Sequence, residues 1–339
     1  MAPPRIPRAT YRLQLSAAFT LRDALDLAPY LAELGISHLY LSSFLKARRG
    51  STHGYDIIDH NAINPELGSR EDLDRLSEAL SAHDMGILMD FIPNHMGVGG
   101  NDNVWWLDVL EWGEASPYAA YFDINWQPLR QELRDKVLLP FLGDHYGVIL
   151  EKGELKPRFD RDSGTLSVWY WEHRHPVAPS WYARLLIPAA QALENTPGGG
   201  ELAGILAAAK PLSGAGNAAR RRLAGEIKQR LADLARRVPP VAEAIDRAME
   251  TLGGTPGQPR SFQSLHKLLE AQAYRLSYWR VAADEINYRR FFDINDLAGL
   301  HMEEPGLFEE AHHLTFDLLR ETSGLLVAAA TLPAALLVA

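Results

Sequence analysis

Within the first hundred residues, short β-prone runs alternate with amphipathic helical stretches, and this rhythm limits the fold more than any other feature. "TYRLQL" (10–15), "ISHLYL" (36–41) and "ILMDF" (87–91) read as strands. Between them, "LRDALDLAPYLAELG" (21–35) and "REDLDRLSEALSAHDMG" (70–86) space their apolar residues helically, and each closes on a glycine. Strand, helix, strand, helix, strand predicts an α/β fold with a parallel sheet, open or closed into a barrel.

After residue 95 the rhythm breaks. Residues 100–190 are rich in Trp, Tyr and Pro, with β-like pieces such as "KVLLPFLG" and "TLSVWYW", and residues 200–252 turn helical. "GGTPGQPR" (253–260) reads as a linker into one long helix, "SFQSLHKLLEAQAYRLSYWRVAADE". The expected organisation is three β/α units over 1–99 and an inserted, mixed but mostly helical subdomain over 100–285. A return to the first domain over 286–323 and an atypical apolar tail over 324–339 complete it.

Composition narrows the function classes. A net charge of −9 leaves no basic stripe to neutralise phosphates, so nucleic acid is not an expected partner. The absence of cysteine removes disulfides, thiolate catalysis and zinc-finger chemistry. "MAPPRIPRATYRLQL" lacks the apolar core of a signal peptide, so a cytoplasmic chain is expected, without a membrane partner. Oligomeric state is not legible.

Polar residues gather where the strands should end, which is where parallel sheets present ligands. Asp90 closes the third strand, and Asn94 and His95 follow at once in "DFIPNHMG". This is either a polar corner holding a sugar or phosphate by charge-assisted hydrogen bonds, or a capped turn with a backbone-bonded histidine. "GSTHGYDIIDH" (50–60) follows the second strand in the same way, and Tyr55 beside Asp56 offers either a ring face to a sugar or a packed turn. "NVWWLDVLEW" (103–112) could line a carbohydrate groove or pack in a core. His301, His312 and His313 lack metal-site spacing and are expected on a solvated helix face. The Gly-rich "GVGGND" (97–102) fits neither a dinucleotide fingerprint nor a P-loop.

Taken together, "TYRLQL", "PYLAELGISHLYLS", "LKARRGSTHGYDIIDH", "INPELGS", "MDFIPNHM", "KVLLPFLG" and "ADEINYRRFFDINDLAGL" closely resemble the maltooligosyl trehalose synthase family, over residues 8–322. It is a branch of the α-amylase group of (β/α)8-barrel glycosidases and transglycosidases. "DFIPNH" alone points to the amylase group; "STHGYD" with "EINYRRFFDINDLAGL" points to the trehalose-forming branch. The resemblance implies a partial (β/α)8 TIM barrel with a large insertion after the third strand. It implies a maltooligosaccharide or α-glucan substrate and no cofactor. The family turns the reducing-end α-1,4 bond of a maltooligosaccharide into an α,α-1,1 bond, by chemistry that resembles retaining glycoside transfer. By the same resemblance, Tyr55 stacks on the glucose at the reacting subsite with Asp56 beside it in the substrate-binding set. Asp90 orients the site, and His95 hydrogen-bonds the same glucose. Asn94 matches a position that binds calcium in many amylases, but no metal is expected here.

The family's nucleophile is the Asp of a fourth-strand motif of the form "GLRIDH", with an Arg two residues before it. After the helical stretch "PGLFEEAHHLTFDLLRETS" (305–323) this chain reads "GLLVAAATLPAALLVA". Gly-Leu fits and the rest departs, so neither the nucleophile, nor the acid Glu, nor the third catalytic Asp is expected in this chain. A membrane anchor needs roughly 20 apolar residues, and this segment is shorter and holds Pro333. An alternative strand, or the altered end of a longer coding sequence, remains; the latter accounts for both the composition change and the missing carboxylates. Two other functions stay open: another amylase-type hydrolase or transferase, and a non-catalytic α-glucan-binding protein.

Overall fold

The computed structural model describes residues 6–213, 217–322 and 324–329, which divide into two compact units. The first comprises the described residues within 6–103, 120–123 and 289–329; the second comprises those within 104–119 and 124–288.

The first unit is built on a four-stranded parallel sheet. Its strands, in spatial order, are Thr10–Leu13, His38–Leu41, Gly86–Phe91 and Leu325–Ala329. The helical stretch 21–35 is two helices, Leu21–Asp26 and Ala28–Glu33. The break falls at Leu27, two residues before Pro29, whose ring removes a donor and restricts the residue preceding it. Helix Arg70–Ala82 follows as the spacing predicts. It is capped by Ser69, whose backbone N–H donates to Asp72 Oδ2 at 3.0 Å while its hydroxyl accepts from the Asp72 backbone.

Strand alternation decides what each sheet face carries. Leu39, Leu41, Ile87, Met89 and Leu325 point toward the helices, where they join Leu21, Leu31, Leu73, Leu76 and Leu318 in the core. The register pairs Arg12 with Tyr40, Tyr40 with Leu88, Leu88 with Leu326 and Asp90 with Ala328. These residues therefore share the opposite face. Gly86 allows three segments to converge where the third strand begins. A Cβ there would lie 2.6 Å from the Gly324 carbonyl oxygen and 2.8 Å from the His38 ring.

Two expectations are corrected in this unit. Leu325–Ala329, placed in an atypical tail, is a strand parallel to Gly86–Phe91; residues 330–339 lie outside the described residues. His312 is not solvated. It is buried in helix Pro305–Glu321, its ring edge-on to Phe91 at 4.9 Å and stacked on Phe308 at 4.1 Å. That helix docks on strand Ile57–Ile63 through Asn61, which donates to the Glu310 carbonyl at 2.8 Å.

The second unit holds a parallel strand pair, Val137–Leu142 with Tyr274–Tyr278, and an antiparallel sheet of Lys156–Asp160, Thr165–Tyr170 and His173–Pro176. Helices Tyr182–Ala192, Gly199–Ala209, Asn217–Arg237 and Pro239–Leu252 make up its helical part. Arg221 and Lys228 tie Asn217–Arg237 to helix Val104–Trp112 by ion pairs of 2.6 Å to Asp108 and Glu111. In that latter helix Trp106 is core, not a groove lining. The long helix expected after residue 260 is instead helix Gln263–Glu270, strand Tyr274–Tyr278 and helix Ala282–Glu285. Gln272 ends the first piece. Its amide donates to the Leu268 carbonyl at 2.7 Å and its oxygen accepts from Ala178 N at 2.9 Å. Among the described residues no helix is long and apolar enough to cross a membrane.

Candidate functional site

Beyond the carboxyl ends of the strands His38–Leu41 and Gly86–Phe91 the first unit opens a cavity of about 540 Å³. Tyr55, Asp56, Asp90 and His95 all line it, together with Arg48, His53, Asn94, Phe291 and Asp296. The two strand-end clusters read from the sequence therefore meet in one place.

The "STHGYD" loop is shaped by its own side chains. Gly54 sits at φ +77°, and a Cβ there would come within 2.9 Å of the Ser43 carbonyl oxygen, so only glycine fits without strain. Ser51 Oγ accepts from Gly54 N at 3.0 Å and donates to Asp56 Oδ1. His53 Nδ1 accepts from Tyr55 N at 3.0 Å, and its ring stacks near Tyr55 at 6.0 Å.

Tyr55 is held at both ends. Its hydroxyl donates to Asp90 Oδ2 at 2.9 Å and accepts from Arg12. Its carbonyl oxygen lies 3.0 Å from His95 Nε2. Burial pushes the Tyr55 phenol pKa up, the hydrogen bond to Asp90 adds to this, and the Arg12 charge works against both. Tyr40, on the same sheet face, is raised for the same first reason and by the Asp90 charge.

Asp90 is only 4% exposed, and its Oδ1 has no hydrogen-bond partner among the described residues. A buried carboxylate oxygen left this way is costly unless something else binds to it. The adjacent fourth strand offers only Leu326 and Ala328 on this face.

His95 is buried, and desolvation lowers its pKa to about 4, so the ring is neutral near pH 7. Nε2–H then donates to the Tyr55 carbonyl. Nδ1, 2.9 Å from Asn94 Oδ1 as oriented, accepts if the Asn94 amide is turned to present its NH2. Phe291 covers the ring, stacked at 4.0 Å. The pairing of His95–Gly97 with Leu297–Gly299 brings the 289–297 segment beside the site. Among the described residues no group of three or more His, Asp or Glu is placed to hold a metal ion.

Sequence spacing did not single out Arg12, Arg48, Phe291 or Asp296. Arg48 Nη1 reaches Asp296 at 3.4 Å. It also explains the Gly-rich "GVGGND" stretch, since a Cβ on Gly99 would meet Arg48 Nη1 at 2.7 Å and one on Gly97 would meet the Asp56 carbonyl oxygen at 2.8 Å. The glycines make room for an arginine at the cavity wall. Each of the three carboxylates is engaged: Asp56 by Ser51, Asp296 by Arg48, and Asp90 through one oxygen by Tyr55. With a ring face and several fixed polar groups, the site suits a polyhydroxyl ligand.

A helix-backed parallel sheet with this cavity at its carboxyl ends has the form of an α-amylase-type catalytic domain, and residues 21–153 match the family described as alpha amylase, catalytic domain. Within that class the likeness is to maltooligosyl trehalose synthases. A Mycobacterium tuberculosis protein so described is 47% identical over 142 residues, 40% of this chain and 18% of that protein. The maltooligosyltrehalose synthase structure from Arthrobacter ramosus matches with a TM-score of 0.62 at 31% identity, covering 95% of this chain and 31% of that one. A maltogenic alpha-amylase of Bacillus acidopullulyticus is 34% identical over 114 residues, 34% of this chain and 19% of its own length. The chain thus spans less than a fifth of its curated relative and about a third of the solved structure.

Proposed function

We propose that this chain is the N-terminal part of a maltooligosyl trehalose synthase and forms the substrate-binding half of its site. The whole enzyme's reaction is an intramolecular transglucosylation, an isomerisation by net change. It moves the reducing-end glucose of a maltooligosaccharide from an α-1,4 to an α,α-1,1 bond. The observation that carries the reading is the Tyr55–Asp90 pair in the cavity: a ring face beside a buried carboxylate with one unpartnered oxygen.

In this reading Tyr55 gives its ring to the glucose at the reacting subsite and Asp90 Oδ1 accepts a sugar hydroxyl. Asp56 stiffens the loop through Ser51. His95 serves binding by holding the Tyr55 carbonyl, since both its ring nitrogens already face protein partners. The barrel is partial, and its fourth strand lies in register with the third. On the family form "GLRIDH", Leu326 stands at the Arg position and Ala328 at the nucleophile position, directly opposite Asp90. An alanine cannot attack an anomeric carbon, so this chain binds α-glucan without rearranging it.

The test is to express residues 1–339 and titrate with maltopentaose by calorimetry while assaying loss of reducing ends. The parent should bind, Asp90→Asn should bind about tenfold more weakly, the order expected for a hydrogen bond to a charged group, and neither should consume reducing ends. No binding by the parent, or equal binding by Asp90→Asn, overturns the reading of the site. Trehalose formation overturns the reading of the fourth strand.

A further inference from the structure

We propose that Arg12, at the end of the first strand, is a positioning residue that fixes the Tyr55 hydroxyl and so leaves Asp90 Oδ1 as the acceptor offered to a ligand. That the ligand is an α-glucan rests on the function proposed above; the hydrogen-bond geometry does not.

The direction of each hydrogen bond follows from the groups themselves. A guanidinium only donates, and an ionised carboxylate only accepts. A phenol has one proton and can do both. Placed between Arg12 and Asp90, the Tyr55 hydroxyl must accept from the first and donate to the second. Without Arg12 the hydroxyl is free to rotate or bond to water, and Asp90 Oδ2 loses the hydrogen bond that Tyr55 gives it.

Arg12 is itself fixed. In the sheet register it sits opposite Tyr40, and its guanidinium lies 5.8 Å from the Tyr40 ring centroid. It also donates to Gln14 Oε1 at 3.0 Å, and Gln14 Nε2 donates to the His53 carbonyl at 3.0 Å. The end of the first strand therefore grips the Tyr55 loop twice, once at the ring tip and once at the backbone two residues earlier. Both Arg12 acceptors, a phenol and an amide, are uncharged. An exposed arginine holding two neutral acceptors adds little to stability, yet here it keeps a positive charge one phenol away from a buried carboxylate.

The test combines a double-mutant cycle with a spectroscopic readout on the full chain. Arg12→Ala should weaken maltopentaose binding about tenfold in the parent and less than twofold in a Tyr55→Phe background, because the hydroxyl it acts on is gone. Arg12→Lys should recover part of the loss. Independently, 13C-tyrosine Cζ spectra, with the Tyr55 resonance assigned by its absence from Tyr55→Phe, should show the Tyr55 phenol titrating at higher pH in Arg12→Ala than in the parent. Equal losses in the two backgrounds, or an unmoved phenol titration, overturn the role of Arg12. If the parent binds no maltopentaose but the titration moves, the α-glucan reading falls and the positioning role stands.

Discussion

The Tyr55 hydroxyl has two partners, so a change that removes only the hydroxyl is not a small one. If stacking alone mattered, Tyr55→Phe would be nearly silent. With Asp90 and Arg12 both bonded to that oxygen, phenylalanine takes the Tyr55 donor away from a buried carboxylate, at a cost on the order of 1–3 kcal/mol. Maltopentaose affinity should therefore fall about tenfold in Tyr55→Phe and further, about a hundredfold, in Tyr55→Ala, where the ring face is lost too. Titration calorimetry decides this, and parent-like affinity in Tyr55→Phe would show the hydroxyl network to be idle. At this scale the sequence revealed the loops but not the network. Tyr55, Asp56, Asp90 and His95 stand just after readable strands. Arg12 lies inside one, and Phe291 reaches His95 only because residues 297–299 pair antiparallel with 95–97, a long-range contact that no local spacing announces.

Strands and helices were legible where apolar spacing was strong, as in 36–41, 70–82 and 86–91. They were misread where a breaker competed with a good pattern. Pro29 splits the 21–35 helix, and in "LEAQAYRLSYW" the helical spacing runs on past Gln272 although Tyr274–Tyr278 pairs with Val137–Leu142 as a strand. The apolar run 325–329 was ambiguous because a buried parallel strand and a misplaced tail look alike in sequence. Its pairing depends on Gly86. Gly86→Ala should cost about 2–3 kcal/mol, since backbone and a buried ring must move to admit the methyl group. Gly204→Ala, in helix Gly199–Ala209 with nothing within 4 Å, should gain about 0.5–1 kcal/mol. Urea unfolding of the two variants checks the contrast; equal midpoints would mean the strands adjust freely around residue 86.

Across the whole molecule, both units bury neutral histidine. Desolvation lowers His60 and His95 to about 4 in the first unit and His175 to about 3 in the second, against roughly 6.5 when unfolded. Neither His175 nitrogen has a hydrogen-bond partner among the described residues. Above pH 6.5 neither state binds these protons and stability is full. As pH falls toward 4 the unfolded chain takes up protons that the folded chain refuses, and each residue withdraws on the order of 3 kcal/mol. Urea midpoints should therefore drop steadily from pH 7.5 to pH 4.5, and a flat profile would contradict neutral burial. The second unit begins at Val104, close to the abrupt change of composition after residue 100. The return of 120–123 to the first unit was not legible, since four residues carry no periodicity. The parallel register of the four strands also has a consequence for synthesis. Arg12, Tyr55, Asp90 and His95 all leave the ribosome before the second unit has begun, whereas the strand that covers the open side of Gly86–Phe91 emerges only after that unit is complete. While the second unit is being made, then, the nascent chain carries this polar corner, still without Phe291 and Asp296, beside an unpaired sheet edge, the kind of surface on which chaperones act.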